Sequence, residues 1–206
     1  MPTQPHIACI VLAAGRSTRM GAENKLLAEL GGRPLVRHAA EAALASAGRP
    51  VIVVTGHQGA EVAAALAGLD LTLVANPDYA AGLSSSLKAG VRALPADCDG
   101  VVILLGDMPR ITGADLDRLI GTFAPGAIVV PTHDGTRGNP VLWPAICFPE
   151  LLQLEGDAGA KRLIALHADL VREIDLGTDA IFSDIDTPDA LEQARRAQRS
   201  VLPRRA

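Results

Sequence analysis

Aromatic residues are nearly missing from this chain of 206: one tryptophan, one tyrosine and three phenylalanines, 2% of the whole. Single-stranded nucleic acid is gripped by stacking bases on aromatic rings, so that mode of binding is excluded. Cysteine is scarce too, at Cys9, Cys98 and Cys147. Their number is odd, their spacing wide and no zinc-ligand pair occurs, which points to buried thiols in a reducing, cytoplasmic setting. Positive charge is not in excess: the formal net charge is −4, so the chain offers no global field to draw a polyanion such as DNA. Long apolar runs are absent. Ile7 to Ala14 and Val101 to Leu105 fall well below the roughly 20 residues of a membrane span. The first of them is no signal peptide either, since Arg16 and Arg19 follow it and no basic residue precedes it. The expectation is a soluble cytoplasmic protein that engages neither nucleic acid nor membrane.

What is present is a chain 49% apolar, enough for one domain over 1–206 with a core at about 7–197 and a flexible basic tail at 198–206. Short β-branched runs alternate with Ala/Leu-rich stretches of helical spacing. The strand candidates are Ile7–Ala13, Val51–Thr55, Leu71–Ala75, Val101–Leu105, Ile128–Pro131 and Val171–Ile174. Helices are expected at Pro34–Ser46, Gly59–Ala67, Ser84–Leu94, Thr112–Phe123, Ala158–His167 and Thr187–Ala197. Ser84, Thr112 and Thr187 are the candidate caps. Strands that are continuously apolar imply a mostly parallel sheet covered on both faces, hence an α/β fold of three layers, α/β/α.

In open α/β sheets ligands bind beyond the carboxyl ends of the strands. The segment there after the first strand reads Leu12-Ala13-Ala14-Gly15-Arg16-Ser17-Thr18-Arg19-Met20-Gly21, followed by Asn24-Lys25. Small residues let a backbone approach a ligand, their amides cradle phosphate oxygens, and Arg16, Arg19 and Lys25 add positive charge. This outlines a polyphosphate site, though it is neither a Walker A loop nor a GxGxxG turn. Asp107 follows an apolar strand, where a hard cation can take a carboxylate together with phosphate oxygens. In Asp184-Ile185-Asp186 the alternation sends both carboxylates to one side and Ile185 to the core, which leaves either as a second acid. The five histidines share no metal-ligand spacing, and no Ser/His/Asp arrangement occurs.

The loop from Leu12 to Lys25 resembles the opening motif of nucleotidyltransferases of the nucleotide-diphospho-sugar transferase fold. Further segments resemble the molybdenum cofactor cytidylyltransferases in order: Asn76-Pro77 with Gly82-Leu83-Ser84-Ser85-Ser86-Leu87, Gly106-Asp107-Met108-Pro109, Arg137-Gly138-Asn139-Pro140, Gly156-Asp157-Ala158-Gly159-Ala160-Lys161 and Asp184-Ile185-Asp186-Thr187-Pro188. The resemblance covers about 7–197 and implies a Rossmann-like sheet. It also implies magnesium-dependent (Mg²⁺) transfer of CMP from CTP to the terminal phosphate of molybdopterin, with release of pyrophosphate. By the same resemblance Lys25, Arg19 and Asp107 are catalytic, and Asp107 and Asp186 hold the metal. Leu12, Ala13, Ala14, Gly15, Arg16, Lys25, Gly82, Leu83, Ser84, Ser85 and Ser86 bind the nucleotide; Arg137, Asn139, Asp157 and Lys161 bind the molybdopterin acceptor.

Two departures fall on the acceptor side: Asn139 stands where a histidine is common, and Lys161 where an arginine is. Ala14 replaces the glycine usual in the guanylyl-transferring branch, which favours cytosine. A molybdenum hydroxylase, or its maturation chaperone, is the implied downstream partner. Guanylyl or another nucleotidyl transfer stays open, as does a non-catalytic cofactor carrier or insertion chaperone, although a carrier has no need of Lys25, Asp107 and Asp186 together.

Overall fold

A computed structural model describes residues 4–17, 24–156 and 160–201. In chain order the elements are β1 (Ile7–Ala13), β2 (Glu29–Leu30), β3 (Arg33–Pro34), α1 (Leu35–Ala45), β4 (Val51–Thr55), α2 (Gly59–Ala65), β5 (Thr72–Ala75), α3 (Leu83–Arg92) and β6 (Gly100–Leu105). There follow α4 (Gly113–Gly121), β7 (Ile128–His133), β8 (Thr136–Arg137), β9 (Val141–Pro144), α5 (Phe148–Leu151), α6 (Lys161–Leu166), β10 (Val171–Asp175) and α7 (Pro188–Val201).

All of β1 is buried because alternate residues enter different cores: Ile7, Cys9, Val11 and Ala13 on one face, Ala8, Ile10 and Leu12 on the other. The first face is covered by α1, α2 and α4 through residues such as Val36, Ala40, Val62 and Leu116. The second is covered by α3, α5 and α6 through Leu87, Val91, Leu151 and Leu163. The sheet runs β10-β7-β9-β6-β1-β4-β5, with β8 attached to β7. Parallel pairs join β1 to β4 and β6, β4 to β5, and β10 to β7. The carboxyl ends of β1, β4, β5, β6, β7 and β10 therefore meet along one edge.

The six expected strands are present, and a seventh, β9, lies antiparallel between β6 and β7. Its four residues are all buried, yet Pro144 is one of them and Pro140 precedes them, which in sequence reads as loop. The expected cap at Ser84 is corrected: α3 starts at Leu83 and its N-cap is Gly82 at φ 105°, so Ser84 lies buried inside the first turn. A positive φ there suits glycine and admits the chain to the helix earlier than a serine cap would. Thr112 does form a capping box with Asp115, and the Thr187 hydroxyl accepts from the Ala190 amide at 3.2 Å. Helix α6 starts at Lys161; its expected start at Ala158 lies outside the described residues.

Of the tail expected to be flexible at 198–206, residues 198–201 continue α7 and 202–206 lie outside the described residues. The helix docks on the β2–β3 hairpin, where Leu191 packs with Leu30, Leu35 and Ile185, Arg195 donates to the Glu29 carbonyl at 3.0 Å, and Gln198 lies against Gly31. The three cysteines are free and buried, and burial pushes the Cys9 thiol up to about 11, so it stays a protonated apolar filler. Among the described residues no helix is long and apolar enough to cross a membrane.

Gly113 opens α4 against the last turn of α1, and a Cβ there would stand 2.8 Å from the Ala45 carbonyl carbon and Cβ. Because part of that neighbour is backbone, Gly113→Ala is expected to destabilise by about 1–3 kcal/mol despite alanine's better helix propensity. Urea midpoints of the two proteins measure it, and an unchanged or higher midpoint would show that α1 and α4 are free to separate.

Candidate active site

The loop leaving β1 is held by its own polar side chains. Asn24, buried, caps the short 3-10 turn Lys25–Leu27 by accepting from the Leu26 amide at 3.0 Å. Ser17, at φ 55°, accepts from the Lys25 amide at 3.1 Å and donates to Asn24 at 3.3 Å. Lys25 is thereby launched from a fixed backbone, and its ammonium sits between two carboxylates, Asp107 and, at 2.5 Å, Asp186. Asp107 stands in the turn after β6; Asp186 lies in the segment that enters α7. The two segments are tied directly, since the Ile185 amide donates to the Asp107 carbonyl at 3.0 Å. Ile185 is buried, and Asp184 and Asp186 both line the same cavity, as the alternation predicted.

Electrostatics follow from burial. Asp107 is 6% exposed, and burial raises its carboxyl above the ordinary range although the Lys25 charge opposes the rise. For Lys25, burial works against the ammonium, but the two carboxylates overcome it and lift the group above its usual value. The cation is thus kept through neutral pH. Asp107 retains one oxygen, Oδ1, that is buried and has no hydrogen-bond partner among the described residues. A buried acceptor left open in this way fits a ligand that supplies positive charge.

The cavity over this cluster measures about 440 Å³, in the range of small-molecule sites. One wall is the first loop, with Leu12, Ala14, Gly15 and Arg16. Another comes from the segment after β5, with Tyr79, Gly82, Leu83 and Ser86. Asn76 builds that second wall: buried at the end of β5, it donates to the Ser85 and Ser86 hydroxyls at 2.9 and 3.0 Å and accepts from the Asp78 amide at 3.0 Å. A larger cavity of about 740 Å³ lies between the β2–β3 hairpin and α7 and shares Asp184. Its two arginines are already paired, Arg33 with Glu41 and Arg110 with Asp179, so the smaller cavity carries the available chemistry.

The structure gathers Leu12, Ala14, Gly15, Arg16, Lys25, Asp107 and Asp186 around one space, together with Gly82, Leu83 and Ser86. It does not bring the other expected residues there. Ala13 is buried in the core beneath the loop. Ser84 is buried with its amide on the Gly156 carbonyl, and the Ser85 hydroxyl turns back onto the Gly82 carbonyl at 2.8 Å. Arg137 pairs with Glu173 at 2.6 Å on the surface, the Asn139 backbone N–H donates to the Ile181 carbonyl at 3.1 Å, and Lys161 is exposed at the start of α6. Arg19 and Asp157 lie outside the described residues. Three residues not named beforehand as site residues contribute: Asn24, Asn76 and Tyr79. The two asparagines were visible only as motif members, and a single tyrosine in a turn has no periodicity to betray it. Among the described residues no group of three metal-ligating side chains occurs, so any ion here would rest on paired carboxylates.

The family profile of the MobA-like NTP transferase domain matches residues 9–172. The chain is similar to the molybdenum cofactor cytidylyltransferase of Escherichia coli, 33% identical over 184 residues, covering 89% of this chain and 92% of that protein. It is also similar to the purine catabolism protein PucB of Bacillus subtilis, 35% identical over 205 residues and covering 94% and 98%. The bifunctional protein GlmU of Kineococcus radiotolerans is 45% identical over 145 residues, 68% of this chain, but the match spans only 30% of GlmU. A Mycobacterium tuberculosis protein solved in complex with manganese superposes with a TM-score of 0.82 at 27% identity, over 93% of this chain and 99% of that one.

Replacing Lys25 by methionine leaves Asp107 buried without its cation, so its carboxyl rises further. A raised carboxyl favours the fold below its unfolded value and withdraws that support as pH climbs through the folded one. Lys25→Met should therefore cost of order 2 kcal/mol at pH 7.5 and markedly less at pH 4. Urea melts of both proteins at the two pH values decide it; a pH-independent difference would mean that Asp107 does not depend on Lys25.

Proposed function

The chain belongs to the MobA-like NTP transferase family, whose members transfer nucleotidyl groups, and from that premise we propose that it moves CMP from CTP to the terminal phosphate of molybdopterin. The observation that carries the reading is the Lys25 ammonium held between Asp107 and Asp186 at the cavity wall built by the first loop. Similarity over nearly the whole length to the E. coli cytidylyltransferase supports the choice of nucleotide and acceptor.

The acceptor phosphate attacks the α-phosphorus of CTP, the bond from that phosphorus to the β-bridging oxygen breaks, and pyrophosphate leaves. A phosphate monoester with a second pKa near ~6 is already ionised at neutral pH, so no general base is needed. What the chain must do is hold two polyanions in line and offset the charge on the leaving oxygens. Lys25 and Arg16 contribute cations at the triphosphate, joined by Arg19. Asp107 and Asp186 would hold Mg²⁺, with Asp184 as the neighbouring acid; two carboxylates, one with an open buried oxygen, are the donor set this ion takes alongside phosphate oxygens. When bound, the ion neutralises charge developing on those oxygens. The methyl of Ala14 narrows the cavity toward a pyrimidine, while the Ser86 hydroxyl and the backbone at Gly82 offer polar partners for its edge.

In this reading the acceptor approaches from the Arg137–Asn139 side, where the Asn139 backbone N–H donates to the Ile181 carbonyl in the turn that leads toward Asp184; Lys161 and Asp157 stay acceptor ligands by the family resemblance alone. The product passes to a molybdenum hydroxylase or its maturation chaperone. A second reading keeps the transfer and changes the acceptor, and it is favoured by PucB, which matches this chain at higher identity than the cytidylyltransferase does.

Pyrophosphate release with each of four NTPs and Mg²⁺, with and without molybdopterin, tests both. CTP with molybdopterin should exceed GTP by about 10² in kcat/KM, and Ala14→Gly should narrow that gap. Equal use of CTP and GTP would overturn the cytidylyl assignment, and CTP turnover indifferent to molybdopterin would favour the second reading.

Asp107→Asn should lower kcat more than about 100-fold, over ~2.7 kcal/mol of barrier, with a circular dichroism melt close to wild type. More than a tenth of wild-type activity in that variant would remove Asp107 from the chemistry.

A further inference from the structure

Among the described residues, Arg16, Arg110, Arg118 and Arg137 stand near the carboxyl edge of the sheet, and the last three have donors committed. Arg110 pairs with Asp179, Arg137 with Glu173, and Arg118 donates to the carbonyls of Asp175 and Leu176. Arg16 differs. Its guanidinium lies over the ring of Tyr79, the chain's single tyrosine, with Cζ 5.7 Å from the ring centroid, and it makes no hydrogen bond or ion pair among the described residues. Both side chains line the cavity above Lys25 and Asp107.

The ring itself is held firmly. Tyr79 begins a 3-10 turn (Tyr79–Ala81) anchored through Asn76, and its Cβ rests over Gly56, where an added Cβ would come within 2.6 Å of it and 2.8 Å of the Ala14 Cβ. That close approach brings the Tyr79 turn and the first loop together over the end of β4. The His57 ring flanks Tyr79 at 6.0 Å between centroids. A carboxylate would anchor an arginine by consuming its in-plane N–H groups. An aromatic face attracts the cation and consumes none of the five.

We propose that Tyr79 is a positioning residue: it holds the Arg16 guanidinium at the cavity mouth with its N–H donors open for the phosphate oxygens of a nucleoside triphosphate. This rests on the nucleotidyl-transfer reading and adds to it the element that orders a cation of the first loop before substrate arrives. The ring's service is to Arg16 and the phosphates, not to the base.

Binding of CTP with Mg²⁺, and of cytidine, is measured by calorimetry for wild type, Arg16→Ala, Tyr79→Leu, Tyr79→Phe and the Arg16→Ala/Tyr79→Leu double variant, alongside kcat and KM. Leucine keeps the packing over Gly56 and removes the ring face; phenylalanine restores the face. Arg16→Ala and Tyr79→Leu should each weaken CTP about fivefold, chiefly in KM, and the double variant should be no weaker than Arg16→Ala alone. Tyr79→Phe should recover the affinity lost in Tyr79→Leu, and cytidine should bind all five proteins alike. Additive losses in the double variant, an Arg16→Ala protein that binds CTP normally, or an equal loss of cytidine would each overturn the role of Tyr79 and leave the transfer reading standing. A wild type that does not bind CTP with Mg²⁺ would overturn both.

Discussion

One buried ammonium organises the functional end of this molecule. Lys25 reaches Asp107 in the turn after β6 and Asp186 at the entrance to α7, residues 161 apart in sequence from the lysine in the latter case. Buried charges persist only when paired, so the three segments that carry these groups have little freedom to place themselves elsewhere. The Ile185 amide on the Asp107 carbonyl fixes the same geometry through the backbone. Around this tie the parallel strands deliver loop after loop to one edge, and a cavity forms where they converge.

The second wall obeys a related constraint, built from neutral groups. Asn76 takes four bonds while buried: its amide on the Thr55 carbonyl, its side chain to two serines, and its oxygen to the Asp78 amide. A single asparagine thereby joins β4, β5, the Tyr79 turn and the first turn of α3. Polar satisfaction of one residue and the positive φ of Gly82 together set where Ser86 meets the cavity.

Much of this was legible in sequence because its signals are local. Runs such as Val51–Thr55 declare strands by composition, Thr112 with Asp115 declares a capping box, and Asp184-Ile185-Asp186 declares its own sidedness. What escaped depends on partners far along the chain. Strand β9 owes its existence to β6 and β7, against which Leu142 and Trp143 are buried on opposite faces, and the three residues between Pro140 and Pro144 do not carry that information. The pairing of Arg137 with Glu173, 36 residues away, has no local signal either. Ser84 reads as a cap until Gly82 takes the position. Tyr79 is informative only once Arg16 and Gly56 are seen beside it.

Helix α7 is fastened to the molecule mainly by a two-strand hairpin and a small cluster of Leu30, Leu35, Ile185 and Leu191, set apart from the two large cores. Detachment of such a unit costs less than melting the sheet, so the molecule has access to a partly opened form in which its cores are intact. Asp186 lies two residues before the helix begins, in the segment such a detachment would pull on. The opened form would lose one side of the lysine tie while still registering as folded by any probe of the sheet. Competence at the carboxyl edge is therefore governed by the smallest of the three clusters, and amide exchange along α7 is where its margin would be visible.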